Sequence, residues 1–137
     1  MEGNPVKIPR PLVNQLLHHA QLGGEYEICG LLAARDGHPI RVVPVANIAA
    51  APATRFEMEP KELIDAMRGM RDAGETLFAI YHSHPSSPAA PSVIDTAQAS
   101  YPEALYLIVS LKTKGVLEMR GYRLRDSAFE EVMLEIE

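Results

Sequence analysis

One cysteine, Cys29, stands alone in a chain of 137 residues. No internal disulfide can form, so stability must come from packing and not from covalent staples. A lone thiol fits a reducing compartment, and the expected localisation is cytoplasmic. No basic run occurs and the formal charge is −5. That balance argues against nucleic acid as a partner, because phosphate recognition needs clustered Lys and Arg. No apolar run approaches the length that spans a bilayer, so no membrane association is expected. The first residues, Met1-Glu2-Gly3-Asn4-Pro5, lack the basic stretch and apolar core of a signal peptide. Internal repeats and low-complexity segments are also missing.

What remains is ordinary globular material. A hydrophobic fraction of 47% over 137 residues is enough for one domain with a real core, expected over residues 1–137. Val6 to Ile8 predicts a short edge strand. Leu12, Val13, Leu16, Leu17 and Ala20 recur at the helical period, with Pro11 in the first turn and Gly23-Gly24 as the stop. His18 and His19 on this helix diverge around its axis and are read as solvated or interface residues. Glu25 to Ala34 turns from acidic to apolar, as a strand entering a core does. Cys29 in that strand reads as a small buried residue, and Gly30 as a point of close backbone approach to a site.

Asp36-Gly37 marks a hairpin turn, with His38 on its loop. Ile40 to Asn47 is the returning strand, demoted to an edge by Pro44. Arg55 to Pro60 alternates and predicts a short strand with Phe56 and Met58 on one side. Pro60 to Gly74 predicts a helix with an apolar stripe of Leu63, Ile64, Met67 and Met70. Ala104 to Ser110 reads as a buried strand, Lys112 to Gly115 as a turn, and Val116 to Leu124 as a half-buried strand. Phe129 to Glu137 is open between strand and short helix, with its glutamates solvated.

The informative stretch is Tyr81-His82-Ser83-His84-Pro85 through Asp95. It follows the apolar run Thr76 to Tyr81, which predicts a buried strand. His82 and His84 sit two apart, so on a strand both imidazoles aim at one point. The seven residues that follow include Pro85, Pro88 and Pro91 and carry no acid or base. Ser92-Val93-Ile94-Asp95 then opens a third helix, expected to end near Tyr101 before Pro102. Two neutral imidazoles and one carboxylate suit a divalent zinc ion with a fourth position open to water. Each piece also has a plain reading. Paired histidines are often core-edge residues, and Ser92-x-x-Asp95 fits a capping box.

The whole spacing resembles the JAMM motif of the MPN+ metalloproteases: His82-x-His84-Pro85, seven residues to Ser92, two more to Asp95. The family also has a glutamate two residues before a Cys-Gly pair. Here that position is Glu27, with Glu25 as a decoy, and Asn47 precedes a Phe-containing segment as in the family. The resemblance covers Val6 to about Leu124.

It implies an α+β, MPN-like fold, layered in the manner of cytidine deaminases. A central mixed sheet of six to eight strands would carry about three helices. It implies one zinc per chain, held by His82, His84 and Asp95. Glu27 would be the general base toward a water on that zinc, and Ser92 the donor to the developing oxyanion. Ser83 would point to the opposite face of its strand, in packing or support. The implied activity is hydrolysis of a peptide or isopeptide bond at the C-terminus of a ubiquitin-like or sulfur-carrier protein with an extended Gly-Gly tail. A homodimer stays open. Other readings are a catalytically silent MPN scaffold, a RadC-like DNA-repair-associated protein, and a zinc peptidase for small substrates. The RadC reading fits less well, because Ser83 and Pro85-Ser86-Ser87-Pro88 depart from that group's string.

Overall fold

The computed structural model describes residues 5–113, 116 and 118–137. Its elements run β1 (Val6–Ile8), α1 (Arg10–Gly23), β2 (Cys29–Arg35), β3 (His38–Val45), α2 (Pro60–Asp72), β4 (Thr76–His84), α3 (Val93–Gln98), β5 (Leu105–Ser110), β6 (Glu118–Arg125), β7 (Ala128–Val132) and β8 (Leu134–Ile136). Six strands form one mixed sheet in the order β3-β2-β4-β5-β6-β7, and β1 pairs with β8 in a separate parallel ribbon. Only β4 and β5 run parallel within the large sheet. The chain between them has to cross over, and it does so through the proline-rich connection and α3. This is the expected α+β architecture, with the expected three helices.

The sheet buries both faces. On one, Leu12, Val13 and Leu16 of α1 pack against Leu32, Tyr81, Leu105 and Leu107. On the other, Leu63, Met67 and Met70 of α2 pack against Leu31, Ile80 and Tyr106. A fully buried Leu or Ile contributes about 1.5–3 kcal/mol, so the two layers together hold the central strands firmly. That is why β2, β4 and β5 read as continuous apolar runs and not as alternating ones.

Turn chemistry follows the sequence closely. Asp36 and Gly37 both adopt positive φ, 51° and 80°, in the two-residue hairpin between β2 and β3. Asp126 and Ser127 do the same, at 50° and 66°, between β6 and β7. Pro44 lies on β3, which is indeed an edge strand. The open C-terminal segment resolves into strands.

Several expectations need correction. Arg55 to Pro60 forms no strand; only Met58 makes a single bridge, to Asn47. The reason is that the Asn47 side chain takes the Arg55 carbonyl and the Glu57 N–H, groups a partner strand would otherwise use. β2 begins at Cys29 and not at Glu25, because the backbone of Glu27 bonds to Pro52 and to the Asn47 side chain. α3 stops at Gln98, and the Ser100 and Tyr101 N–H groups turn to the Tyr106 hydroxyl. Ile64 is 56% exposed, since it sits a helical step past Leu63 and turns off the sheet. The expected Lys112 to Gly115 turn lies partly outside the described residues, as does Leu117 of the expected strand.

His19 also departs from its expectation. It is half-buried on the sheet, and its Nδ1 lies 2.7 Å from the Tyr81 hydroxyl. Gly30 serves this same face. A Cβ there would meet the Tyr81 hydroxyl and, at 2.6 Å, the Val43 carbonyl oxygen. The close approach at Gly30 is therefore to Tyr81 and a neighbouring strand, on the face away from the histidine pair.

Candidate metal centre

β4 is the strand that carries the site. It pairs with β2 through Cys29↔His82 and with β5 through His82↔Ile108 and His84↔Ser110. Past a register shift near Phe78, its pairing runs unbroken from Ala79 to His82 with β2 and to His84 with β5. Period two then places His82 and His84 on one face, both 3% exposed. Their Nε2 atoms lie 3.2 Å apart.

The connection that follows is pinned through its carbonyls. The Ser87 carbonyl accepts from the Ser110 hydroxyl at 2.6 Å, that of Pro88 from His84 Nδ1 at 2.7 Å, and that of Ala89 from the Tyr122 hydroxyl at 2.7 Å. The loop delivers Ser92 as the N-cap of α3. Ser92 Oγ accepts from the Asp95 N–H at 3.0 Å, and the Ser92 N–H donates to Asp95 Oδ2 at 2.9 Å. The capping box is thus present, and it also aims the carboxylate. Asp95 Oδ2 lies 3.0 Å from His84 Nε2 and 3.2 Å from His82 Nε2.

Glu27 completes the cluster from the other side. Its N–H donates to the Pro52 carbonyl at 2.7 Å and its own carbonyl accepts from Asn47 Nδ2 at 2.9 Å. The side chain is 4% exposed, and Oε1 is buried with no hydrogen-bond partner among the described residues. One ligand-type atom from each of Glu27, His82, His84 and Asp95 falls within 4.8 Å of all the others. Glu25 is exposed and lies outside the group.

The protonation chemistry fits a cation. A carbonyl can only accept, so His84 Nδ1 carries the proton it gives to Pro88. Its Nε2 then presents a lone pair to the Asp95 carboxylate. Only an additional proton or a cation makes that contact favourable. Four ligands at zinc distances of 2.0–2.1 Å stand about 3.3 Å from one another in a tetrahedron. The observed spacings of 3.0–3.2 Å are close to that. Two imidazoles and a carboxylate are also a zinc-type donor set.

The electrostatics point the same way. Burial pushes the Glu27 carboxyl up to about 7, with the nearby Asp95 charge adding to it against the pull of His84. Burial would raise Asp95 as well, but hydrogen bonds with His82 and His84 hold it well below the usual carboxylate range. Burial lowers His82, against the attraction of Asp95. Burial also works to lower His84, yet its bonds to Asp95 and Pro88 leave it raised. Cys29 is no nucleophile: its Sγ–H donates to the Val45 carbonyl at 3.3 Å, and burial pushes the thiol up to about 12.

Comparison with known proteins places the chain that carries this cluster. Residues 9–124 match the family model described as prokaryotic homologs of the JAB domain. The chain belongs to the prokaryotic JAB-domain family. It is accordingly an enzyme of the JAMM peptidase type. The CysO-cysteine peptidase of Mycobacterium tuberculosis is 37% identical over 122 residues, covering 88% of this chain and 83% of that protein. The desampylase of Haloferax volcanii is 36% identical over 103 residues, covering 71% and 74%. The crystal structure of a JAB1/MPN domain protein from Archaeoglobus fulgidus superposes with a TM-score of 0.66 at 21% identity, covering 96% and 98%. This last likeness shows the JAB1/MPN fold.

Within this JAB domain some supporting residues escaped the sequence reading. Phe56 stacks on the His82 ring, with centroids 4.5 Å apart and planes at 27°. Asn47 ties the Glu27 carbonyl to the loop that carries Phe56. Both were landmarks of the motif and nothing more, because contacts between separate loops leave no periodicity. Ser83 is fully buried, and its Oγ accepts from the Ile28 N–H.

Proposed function

We propose that this chain is a zinc peptidase that removes the group attached to the C-terminal Gly-Gly tail of a ubiquitin-like or sulfur-carrier protein. The observation that carries the reading is the convergence of His82, His84 and Asp95 beside Glu27, whose Oε1 is buried and unpartnered among the described residues. The CysO-cysteine peptidase and desampylase relatives support the substrate class. The chain works as one domain over residues 1–137, in the cytoplasm.

In this reading His82, His84 and Asp95 hold one zinc ion. When bound, zinc supplies a Lewis acid that polarises a carbonyl and makes water more acidic. Glu27 takes the proton of the attacking water and returns it to the leaving amine. Its raised proton affinity suits that exchange near neutral pH, where a base and its conjugate acid are both accessible. Ser92 donates its hydroxyl to the oxygen on which charge develops. Its Oγ accepts from the Asp95 N–H, which orients the group and leaves its own proton to donate. A donor of this type lowers the barrier by roughly 2.7–4 kcal/mol in other enzymes.

The test is zinc content with and without chelator, measured beside hydrolysis of a Gly-Gly-extended ubiquitin-like substrate. One zinc per chain is expected, with turnover lost on chelation and restored by zinc. Failure to take up zinc would sink the reading. Zinc uptake without cleavage of any such substrate would sink the substrate class.

A further inference from the structure

Beside the metal centre an apolar chamber of about 270 Å³ opens between α2, α3 and the sheet. Leu63, Ile80, Tyr101, Tyr106, Ile108 and Phe129 form its walls, and His82 and Asp95 stand at one end. Well-packed interiors rarely leave voids larger than a water molecule. A space of this size, lined in part by His82 and Asp95, has the character of a ligand pocket.

The Tyr106 and Tyr122 hydroxyls on the walls are already engaged. The Tyr106 hydroxyl accepts from the N–H groups of Ser100 and Tyr101 at 3.2 and 2.9 Å. The Tyr122 hydroxyl donates to the Ala89 carbonyl at 2.7 Å. Both rings therefore show the chamber mainly their carbon faces. Among the described residues Glu57 is the one further charged residue on its lining. An apolar cavity of about 150 Å³ takes up benzene in another protein. There is room here for a branched aliphatic or phenyl group.

We propose that this chamber is a specificity pocket for an apolar side chain on the leaving-group side of the scissile bond. The assignment rests on the proposed Gly-Gly substrate. Glycine has no side chain, so the two residues next to that bond on its acyl side have nothing to place in a space beside the reaction centre. The occupant belongs to the residue that leaves as the amine. Leu, Met or Phe fits the walls, whereas Asp would carry its charge away from water without a partner.

Two measurements test this together. The first compares kcat/KM on ubiquitin-like substrates ending Gly-Gly-X, with X as Ala, Asp, Leu or Phe. Leu and Phe should exceed Ala and Asp by about tenfold or more, as apolar side-chain recognition does elsewhere. Leu63→Phe, which fills the chamber from α2, should bring the Leu and Phe rates down to the level of Ala. The second titrates N-acetyl-leucine amide into the protein with and without zinc, reading the Tyr106, Tyr122 and Ile108 resonances by NMR. Saturable shifts at those residues are expected, and Leu63→Phe should remove them. Equal rates for all four X with no such shifts overturn the pocket while the proposed function stands. Saturable shifts without cleavage of any substrate keep the chamber as an apolar ligand site but overturn the proposed function, and with it the leaving-group assignment.

Discussion

The Ser83 hydroxyl accepts the Ile28 N–H at 2.9 Å, and the Ser83 N–H donates to the Ile28 carbonyl at 3.0 Å. The residue between the two histidines thus clamps the residue after Glu27. Strand β4 therefore supplies both imidazoles from one face and, through Ser83, a fixed anchor for the carboxylate opposite.

Ser83→Ala should loosen that anchor. The Ile28 N–H loses its side-chain acceptor, and an unmet buried donor costs about 1–3 kcal/mol. The expected outcome is a lower denaturation midpoint, full zinc content, and turnover reduced about tenfold as Glu27 is less well placed. Loss of zinc in this variant would instead mean that Ser83 shapes the histidine pair.

Glu27→Gln should keep zinc and lose hydrolysis by about 10² to 10⁴, the range for general bases. His82→Ala, His84→Ala and Asp95→Ala should each lose zinc and turnover together. Metal analysis on the same samples used for kinetics separates the two classes. Full activity in Glu27→Gln would remove it from the proton-transfer role.

Zinc uptake should release protons near neutral pH. In the metal-free protein the Glu27 carboxyl is pushed up to about 7 by burial, and His84 is raised by its bonds to Asp95 and Pro88. Both groups therefore hold protons to higher pH than usual, and a cation must displace them. Affinity should fall as pH drops from about 8 through 7. Calorimetry in buffers of different ionisation enthalpy measures the protons released. A pH-independent affinity over that range would contradict the assignment.

Gly30→Ala should destabilise the fold from the face opposite the metal centre. The added Cβ meets the Tyr81 hydroxyl and lies 2.6 Å from the Val43 carbonyl oxygen, and backbone cannot yield easily. Overpacking of this kind costs about 1–3 kcal/mol. The denaturant midpoint should drop at unchanged slope. A neutral result would show that β3 can shift at this point.

Local signals carried much of the fold. The stripe of α1, the positive-φ hairpin at Asp36-Gly37, and the apolar runs of β4 and β5 are all visible as pattern. The Ser92–Asp95 capping box is legible too, because a cap is made by neighbours in sequence. Segments whose backbone bonds go to distant side chains misled the reading. Arg55 to Pro60 alternates like a strand, yet Asn47 takes its hydrogen bonds. His19 looked like a surface residue because its partner, Tyr81, lies 62 positions away.

The sequence by itself determined the donor types, their spacing on β4 and at the start of α3, and the family to which the chain belongs. Those are properties of adjacent residues and of strand and helix periods. The motif already favoured Glu27 over Glu25, but only the tertiary structure decided that Glu27 is buried beside the histidines, that Phe56 covers His82, and that a chamber opens beside them. Each depends on side chains from separate elements meeting across a packed sheet. Burial and desolvation arise from that meeting, and no local pattern encodes them.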